Sequence, residues 1–190
     1  MIEIPFLLAE CLFALCWLLL RAAVWHRQKQ IDWKREALLL LMAVNLAVIL
    51  RFVFFPMARV DGRVQPLLFD PARVWPLRLN PVPFVNLKLY TSKRNLLLNV
   101  LGNVAMFIPT GIILPLLYRK LDRLWKVVGV GALMSLGIEI LQLPFFGRTT
   151  DADDLVQNTC GVLIGYGICA LVRRCFQSGR RVRKKPDSRS

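Results

Sequence analysis

Carboxylate and amide side chains are concentrated in two short parts of this 190-residue sequence. Four of its 12 acidic residues fall within residues 139–154, and the amide of Asn158 follows about one helical turn later. A second series, Asn95, Asn99 and Asn103, has a spacing of four, which keeps the three amides on one slowly turning helix face. Such groups hydrogen-bond sugars and amides, hold hard cations and exchange protons. The sequence therefore predicts a site for a polar ligand.

The residue types that are scarce in the chain narrow the chemistry of such a site. His26 is the only histidine, no CxxC motif occurs, and no Ser/His or Cys/His pair is available for covalent catalysis. The five cysteines lie mostly in apolar runs and act as small hydrophobic residues. Glu139 and Asp154 are candidate catalytic residues for acid and base steps. Under the same enzymatic alternative, the acidic cluster with Asn158 is a candidate Mg²⁺ site.

Five apolar segments must position these side chains. Hydrophobic residues make up 56% of the chain and its mean hydropathy is +0.49, values above those of soluble domains. Each segment approaches the length of about 20 residues that a helix needs to cross a bilayer. The segments are residues 5–25, 37–55, 96–118, 124–143 and 154–172. The sequence therefore predicts an all-α, polytopic membrane helical bundle.

The distribution of the 26 basic residues predicts how these spans are oriented. If all five segments cross the membrane, 17 Lys and Arg residues lie on the side of the C-terminus and eight on the opposite side. The positive-inside rule then places the N-terminus outside and the C-terminus in the cytoplasm. The basic tail supports this topology and contacts anionic inner-leaflet lipids, and no nucleic-acid partner is predicted.

This topology divides the chain into four parts. Residues 1–55 form two N-terminal transmembrane helices, residues 56–95 an external loop, residues 96–172 a three-helix core and residues 173–190 the cytoplasmic tail. The loop contains six prolines, which forbid a continuous helix, and apolar residues lie between them. Because bare backbone cannot face lipid, we expect an extended or partly re-entrant segment over the outer ends of the helices.

Under the same topology, the polar residues meet at one depth near the outer ends of the spans. Small residues lie on the same faces of spans four and five as the polar groups. Because small residues let helices approach closely, we expect these faces, with their polar groups, to point into the bundle. The candidate ligand-binding residues are Asn95, Asn99, Asn103, Glu139, Gln142, Arg148, Asp151, Asp153, Asp154 and Asn158. Arg51 in span two lies at the same level. We expect Glu139 to pair with a cation, first Arg148 and otherwise Arg51.

Several of these residues also have a purely structural alternative. Asp151 or Asp153 would cap the start of the fifth helix, where free N–H groups need acceptors. Asn99 and Asn103 would join neighbouring helices by hydrogen bonds. Arg51 would extend its side chain to the lipid headgroups.

Three motifs in the second half of the chain resemble those of the VanZ-like family. They are the run NLLLNVLGNVAMFIPTGIILP at residues 95–115, the ExxQ pair Glu139 and Gln142, and GRTTDADDLVQNTCG at residues 147–161. The resemblance covers about residues 80–172, so Arg51 inherits no role from it. It implies a small protein of the bacterial cytoplasmic membrane, in a family named for a member that gives low-level resistance to the glycopeptide teicoplanin. It also implies that the candidate ligand-binding residues above are the family's recurrent polar positions.

Two kinds of function fit these residues best. The first is binding or modulation, without a cofactor, of a lipid-linked cell-wall precursor, a phospholipid headgroup or a lipid-directed glycopeptide in an outer-leaflet pocket. Arg148, with Arg51, would then receive phosphate. The alternative is a membrane enzyme that acts on a lipid phosphate or diphosphate with Mg²⁺. Transport is the third choice because no inverted repeat is evident, and no oligomeric state is predicted.

Overall fold

Five long helices make up most of the chain. The computed structural model describes residues 1–28, 30–55, 59–75, 79–80, 92–148 and 150–183. The helices are α1 (Phe6–Arg27), α2 (Trp33–Ile49), α3 (Lys93–Leu117), α4 (Leu124–Gln142) and α5 (Ala152–Arg183). A π-helical turn, Leu50–Phe54, continues α2, and with it all five helices are long and apolar enough to cross a membrane. The prediction of a bundle with five membrane-spanning helices is confirmed.

Two helix ends differ from the predicted spans. Helix α2 begins earlier, at Trp33, because the side chain of Asp32 accepts hydrogen bonds from the backbone N–H groups of Lys34 and Arg35. Helix α5 does not end near residue 172 but continues to Arg183. The sequence allows this extension because no proline occurs between the start of α5 and Pro186. Part of the predicted basic tail is therefore a continuation of the last helix.

Helices α3 and α5 pack closely because glycines line their contact. A methyl group added at Gly111 on α3, or at Gly161 or Gly165 on α5, would lie less than 3.0 Å from a backbone carbonyl oxygen of the other helix. Small residues spaced four apart permit this approach of two backbones in a membrane. Phe107 and Val162 are fully buried beside the contact. The α3–α5 pair is thus the centre of the bundle.

Helix α2 is joined to α3 by a buried polar link. Asn45 donates from Nδ2 to the carbonyl oxygen of Met106 at 2.8 Å, and Thr110 donates from Oγ1 to Asn45 Oδ1 at 2.7 Å. Asn45 and Thr110 are both buried. Hydrogen bonds of this kind stabilise helix association in membranes. Asn45, to which the sequence assigned no role, therefore fixes α2 against the centre of the bundle.

Helix α1 lies at the edge of the bundle and has no buried residue. Its clearest polar attachment is an ion pair between Arg21 and Glu36 on α2, where Glu36 is almost fully buried. Leu12, Leu19 and most other large apolar side chains of α1 remain exposed, as expected for a helix that faces lipid.

The loop between α2 and α3 contains short strands and one short 3₁₀ helix, Pro71–Val74, rather than a long helix. Strand β1 (Ile2–Ile4) pairs antiparallel with β4 (Leu67–Phe69), β2 (Arg59–Val60) pairs antiparallel with β3 (Arg63–Val64), and β5 (Leu79–Asn80) pairs parallel with β6 (Thr150–Asp151). The β2–β3 turn at residues 61–62 has positive φ at both positions, which aspartate and glycine tolerate. The predicted extended conformation agrees with these strands, while residues 56–58, 76–78 and 81–91 lie outside the described part.

Both loops and the N-terminus meet at one end of the bundle. Besides the β1–β4 pair, Asp70 donates its N–H to the carbonyl oxygen of Pro144 at 2.8 Å, and Phe146 donates its N–H to that of Leu68 at 2.8 Å. We call this region, residues 2–4, 59–75, 144–148 and 150–151, the loop end. An odd number of spans places these segments on one side and the end of α5 on the other.

Single cysteines placed at Val60 and at Ser178 test which side is external. Both positions are exposed, one at the loop end and one near the end of α5. In a variant without native cysteines, we expect a membrane-impermeant maleimide to label Val60→Cys in intact cells but not Ser178→Cys, because basic residues favour the cytoplasmic side. Both should react after the membrane is disrupted. Labelling of Ser178→Cys alone in intact cells would reverse the predicted orientation.

Candidate functional site

One face of α4 carries a ladder of buried polar side chains. Ser135, Glu139 and Gln142 have exposed fractions of 0%, 2% and 5%, respectively. Their spacing of four and three residues places them above one another on one helix face. The sequence predicted this face to point into the bundle, and the burial agrees. The ladder begins near the loop end with Gln142 and ends at Ser135, about two helical turns deeper.

Helix α5 and the residue just before it supply partners for two steps of this ladder. Asn158 donates from Nδ2 to Ser135 Oγ at 2.9 Å. Above it, the backbone N–H of Asp151 donates to Glu139 Oε2 at 3.0 Å. Asp151 Oδ1 in turn accepts from the backbone N–H of Asp153 at 3.0 Å, so Asp151 has the capping role that the sequence left open. Asp151 is thus linked to Glu139 by a backbone hydrogen bond, and the carboxylates of Asp151 and Asp154 also interact with that of Glu139 through their charges.

Helix α3 contributes only part of its predicted asparagine series. Asn103 donates from Nδ2 to Asp154 Oδ1 at 2.7 Å and to Gln157 Oε1 at 3.1 Å. Asn95 is exposed in the first turn of α3 and Asn99 is half-buried. Within the described residues, Asn103 is therefore the member of the series that reaches the acids. Gln157 was missed, although its position three residues after Asp154 places both on one face of α5.

Three polar side chains cap the end of the π-helical turn that continues α2. The carbonyl oxygens of residues 53, 54 and 55 accept, in that order, from Gln142 Nε2 at 2.9 Å, from Arg148 Nε and Nη2 at 3.1 and 2.9 Å, and from Arg51 Nη1 at 3.3 Å. Carbonyl groups in the last turn of a helix lack partners within the helix. Gln142 and Arg148 therefore have a structural role, and this role brings Arg51 beside them.

The expected direct pair between Glu139 and Arg148 is not what the structure contains. Both residues are described, and the guanidinium of Arg148 is directed at the carbonyl oxygen of Phe54 rather than at Glu139. Arg51 lies over the rings of Phe6 and Phe52, with its guanidinium carbon 5.3 and 5.4 Å from their centroids. The physical reason is that the unsatisfied carbonyls at the end of α2 compete with the carboxylate for these donors.

The charges of the cluster interact over longer distances. Glu139, Asp151 and Asp154 lie close enough for their carboxylates to repel one another. Burial lowers the pKa of the Arg148 guanidinium, the nearby carboxylate of Asp154 opposes this shift, and the positive charge of Arg51 adds to it. Arginine nevertheless stays protonated in proteins. The site therefore holds two neighbouring cations beside a group of mutually repelling acids.

Two buried amide oxygens in the cluster lack a hydrogen-bond partner among the described residues. They are Asn158 Oδ1 and Gln142 Oε1, on residues with exposed fractions of 2% and 5%. An unsatisfied buried acceptor costs about 1–3 kcal/mol, and such groups usually bind an ordered water or a ligand. The cluster therefore offers acceptors that the protein itself does not use.

The polar cluster stops about halfway along the bundle. Val162 on α5 packs against Gly131 on α4, where an added methyl group would overlap the valine side chain. Phe107, Val127 and Val162 are fully buried and form an apolar layer below Ser135. We call this polar cluster, which lies between the loop end and the apolar layer, the polar recess, and it gives no support to a transport path across the bundle.

The acids do not assemble into a metal site within the described ranges. No group of three or more His, Cys, Asp or Glu side chains in those ranges is placed to hold a metal ion. Asp151 Oδ1 and Asp154 Oδ1 are already hydrogen-bonded to Asp153 and Asn103.

Comparison with known proteins assigns the chain to a family. The sequence model of the VanZ/LLP1 family matches residues 39–173, whereas no curated protein and no solved structure matches. The match begins inside α2 and includes Arg51, which the motif resemblance left out. The capping of α2 by Gln142 and Arg148 explains why α2 belongs with the later helices. Because the match covers more than half of its length, this membrane-spanning chain belongs to the VanZ/LLP1 family.

Proposed function

We propose that the protein binds the polar part of an envelope lipid in the recess at its loop end, in the cytoplasmic membrane of a bacterial cell. The ligand class is a lipid-linked cell-wall precursor or a phospholipid headgroup. Binding there modulates how a lipid-directed glycopeptide of the teicoplanin type reaches its target. The recess then faces the outer leaflet, in agreement with the orientation that the basic residues predict.

The observation that carries this proposal is the pair of buried, unpartnered amide oxygens in a cluster assembled from five parts of the chain. Gln142 and Asn158 lie within a cluster to which α2, α3, α4, the loop between α4 and α5, and α5 contribute. Joining helices would require one or two amides, whereas this cluster also brings together acids that repel one another and two arginines that repel one another. A polar headgroup supplies the donors that the two amide oxygens lack.

The enzymatic alternative has less support from the contacts of its candidate residues. The carboxylate of Glu139 accepts from the N–H of Asp151, and that of Asp154 accepts from Asn103, which are positioning roles. The described acids also lack the geometry of a metal site. Glu139 and Asp154 therefore support binding and orientation of a headgroup more directly than acid and base steps on a lipid phosphate.

Replacing Asp154 by asparagine tests the proposed function. The change removes a charge but keeps an oxygen that can accept from Asn103, so we expect normal amounts of protein in the membrane. In a host that the wild-type protein protects, the variant should lose protection against teicoplanin because the headgroup loses a charged partner. Drug susceptibility and membrane abundance are measured in the same cells.

Asp61→Asn is the matched control for this experiment. Asp61 is exposed at the same end of the bundle, and asparagine tolerates its positive φ of 50°. This variant should protect like the wild type. Full protection by Asp154→Asn at equal abundance would contradict the proposal and leave Asp154 with a structural role only.

A further inference from the structure

We propose that the recess takes a zwitterionic phospholipid headgroup, with its phosphate at Arg51 and Arg148 and a primary ammonium group at Asp151 and Asp154. The inference rests on the proposed function and specifies the ligand of the same site. It goes further in naming two opposite charges on one ligand and in adding Arg51 to the site.

The mouth of the recess carries both signs of charge. Arg51, Arg148, Asp151 and Asp154 are half-buried, so part of each residue is exposed at the loop end. Below them the polar groups are buried, with Gln142 and Asn158 at 5% and 2% exposure. Two guanidinium groups and two carboxylates at one opening complement a ligand that is itself both anionic and cationic.

The arginine side of the mouth is arranged to receive an anion. Hydrogen bonds to the carbonyls of Phe54 and Phe55 hold Arg148 and Arg51 side by side, although their charges repel. Arg148 uses Nε and Nη2 on Phe54, and within the described residues Nη1 has no such bond. Guanidinium groups bind phosphate oxygens through charge-assisted hydrogen bonds. A phosphate between them would relieve their repulsion.

The acidic side of the mouth is arranged to receive a hydrogen-bonding cation. Asp151 and Asp154 repel each other, and a positive charge between them would offset this repulsion. Gln142 Oε1, in the step of the ladder nearest the loop end, adds an acceptor that only a donor can satisfy. A primary ammonium group has three N–H donors, whereas a quaternary ammonium group has none. The acids therefore favour an ethanolamine-type headgroup over a choline-type one.

The order of these regions matches the order of groups in a phospholipid. Arg51 covers the ring of Phe6, which lines a mostly apolar pocket of about 510 Å³ beside the start of α1. The other lining residues are Pro5, Leu7, Gly62, Arg63 and Val64. From the acids through the arginines to this pocket, the surface changes from anionic to cationic to apolar. Ammonium, phosphate and the glycerol backbone with its acyl chains follow one another in the same order.

Lipid binding to the purified full-length protein in detergent tests this inference. The probes are the dioleoyl forms of phosphatidylethanolamine, phosphatidylglycerol and phosphatidylcholine, and binding is measured by native mass spectrometry. We expect phosphatidylethanolamine to bind about tenfold more tightly than the other two, which corresponds to about 1.4 kcal/mol. Equal binding of phosphatidylethanolamine and phosphatidylglycerol would overturn the inference but would leave headgroup binding intact. Failure of all three lipids to bind would overturn this inference and the phospholipid headgroup as the ligand of the proposed function, and a lipid-linked precursor would remain as its ligand.

Three variants separate the two halves of the headgroup. Asp154→Asn should abolish the preference for phosphatidylethanolamine over phosphatidylglycerol, because it removes the partner of the ammonium group. Arg51→Gln should weaken the binding of both lipids by about tenfold, because it removes a partner of the phosphate. Arg119→Gln, an exposed position at the opposite end, should change neither affinity. An unchanged lipid preference in Asp154→Asn, in protein that still unfolds cooperatively, would overturn the assignment of the ammonium group.

Discussion

Replacing Gly165 by alanine is expected to lower the free energy of unfolding by about 3 kcal/mol, at the upper end of the usual cost of overpacking. The new methyl group would overlap the carbonyl oxygen of Ile108 and lie 3.0 Å from Cα of Gly111. Because both are backbone atoms of α3, no side chain can rotate away, and the two helices must separate. The loss of stability is followed by the decrease in the thermal unfolding temperature of the purified protein in detergent and in its abundance in the membrane.

Gly167→Ala is the control for Gly165→Ala because it makes the same change two residues away on the same helix. An added methyl group at Gly167 has no atom within 4 Å. Alanine also stabilises a helix interior by about 0.5–1 kcal/mol relative to glycine. This variant should therefore be at least as stable as the wild type. Equal stability of both variants would contradict the close contact between α3 and α5.

The sequence predicted where the helices of this fold lie along the chain better than it predicted which helices pack against each other. Long apolar segments determine where a chain can cross a membrane, so all five spans were predicted. Most of the helix ends lie within a few residues of the predicted positions. The spacing of Gly161 and Gly165 indicated a close helix contact, but it did not say which helix approaches. Gly111 supplies the answer from α3, and the spacing pattern did not single it out.

The sequence predicted the residues of the candidate site better than it predicted the contacts between them. Helical spacing brought Glu139 and Asn158 to facing sides of α4 and α5, where they meet Asp151 and Ser135. The opposite charges of Glu139 and Arg148 then suggested an ion pair between them, and this prediction was wrong. The competing partner of Arg148 is a backbone carbonyl at Phe54, and backbone acceptors are invisible in a sequence until the end of α2 is known.

The contacts also explain why structural and binding roles coincide in this site. Gln142 and Arg148 satisfy carbonyls at the end of α2, and the same bonds hold the arginine side of the recess in place. A π-helical turn precedes these carbonyls, a feature that occurs frequently at functional sites. A substitution at Arg148 should therefore affect both stability and ligand binding, and detergent without added lipid is needed to measure the first effect alone.

Replacing Arg148 by alanine is expected to lower the free energy of unfolding by about 3 kcal/mol in detergent without added lipid. The change removes two charge-assisted hydrogen bonds to Phe54 and leaves the buried carbonyl oxygen without those donors. It also removes the cation that attracts Asp154. Glu139→Gln should cost less, about 1 kcal/mol, because the new amide oxygen can still accept from the N–H of Asp151. Thermal unfolding of both purified variants measures the difference.

Arg148→Lys separates the two causes of this loss. Lysine keeps the positive charge near Asp154 but lacks the planar fork through which Nε and Nη2 reach one carbonyl oxygen. Its stability should therefore lie between those of the wild type and Arg148→Ala, and Arg119→Ala at the opposite end should match the wild type. Wild-type stability of Arg148→Ala would show that water replaces the guanidinium at Phe54. The end of α2 would then not depend on the loop, and the arginine side of the recess would not be held by these bonds.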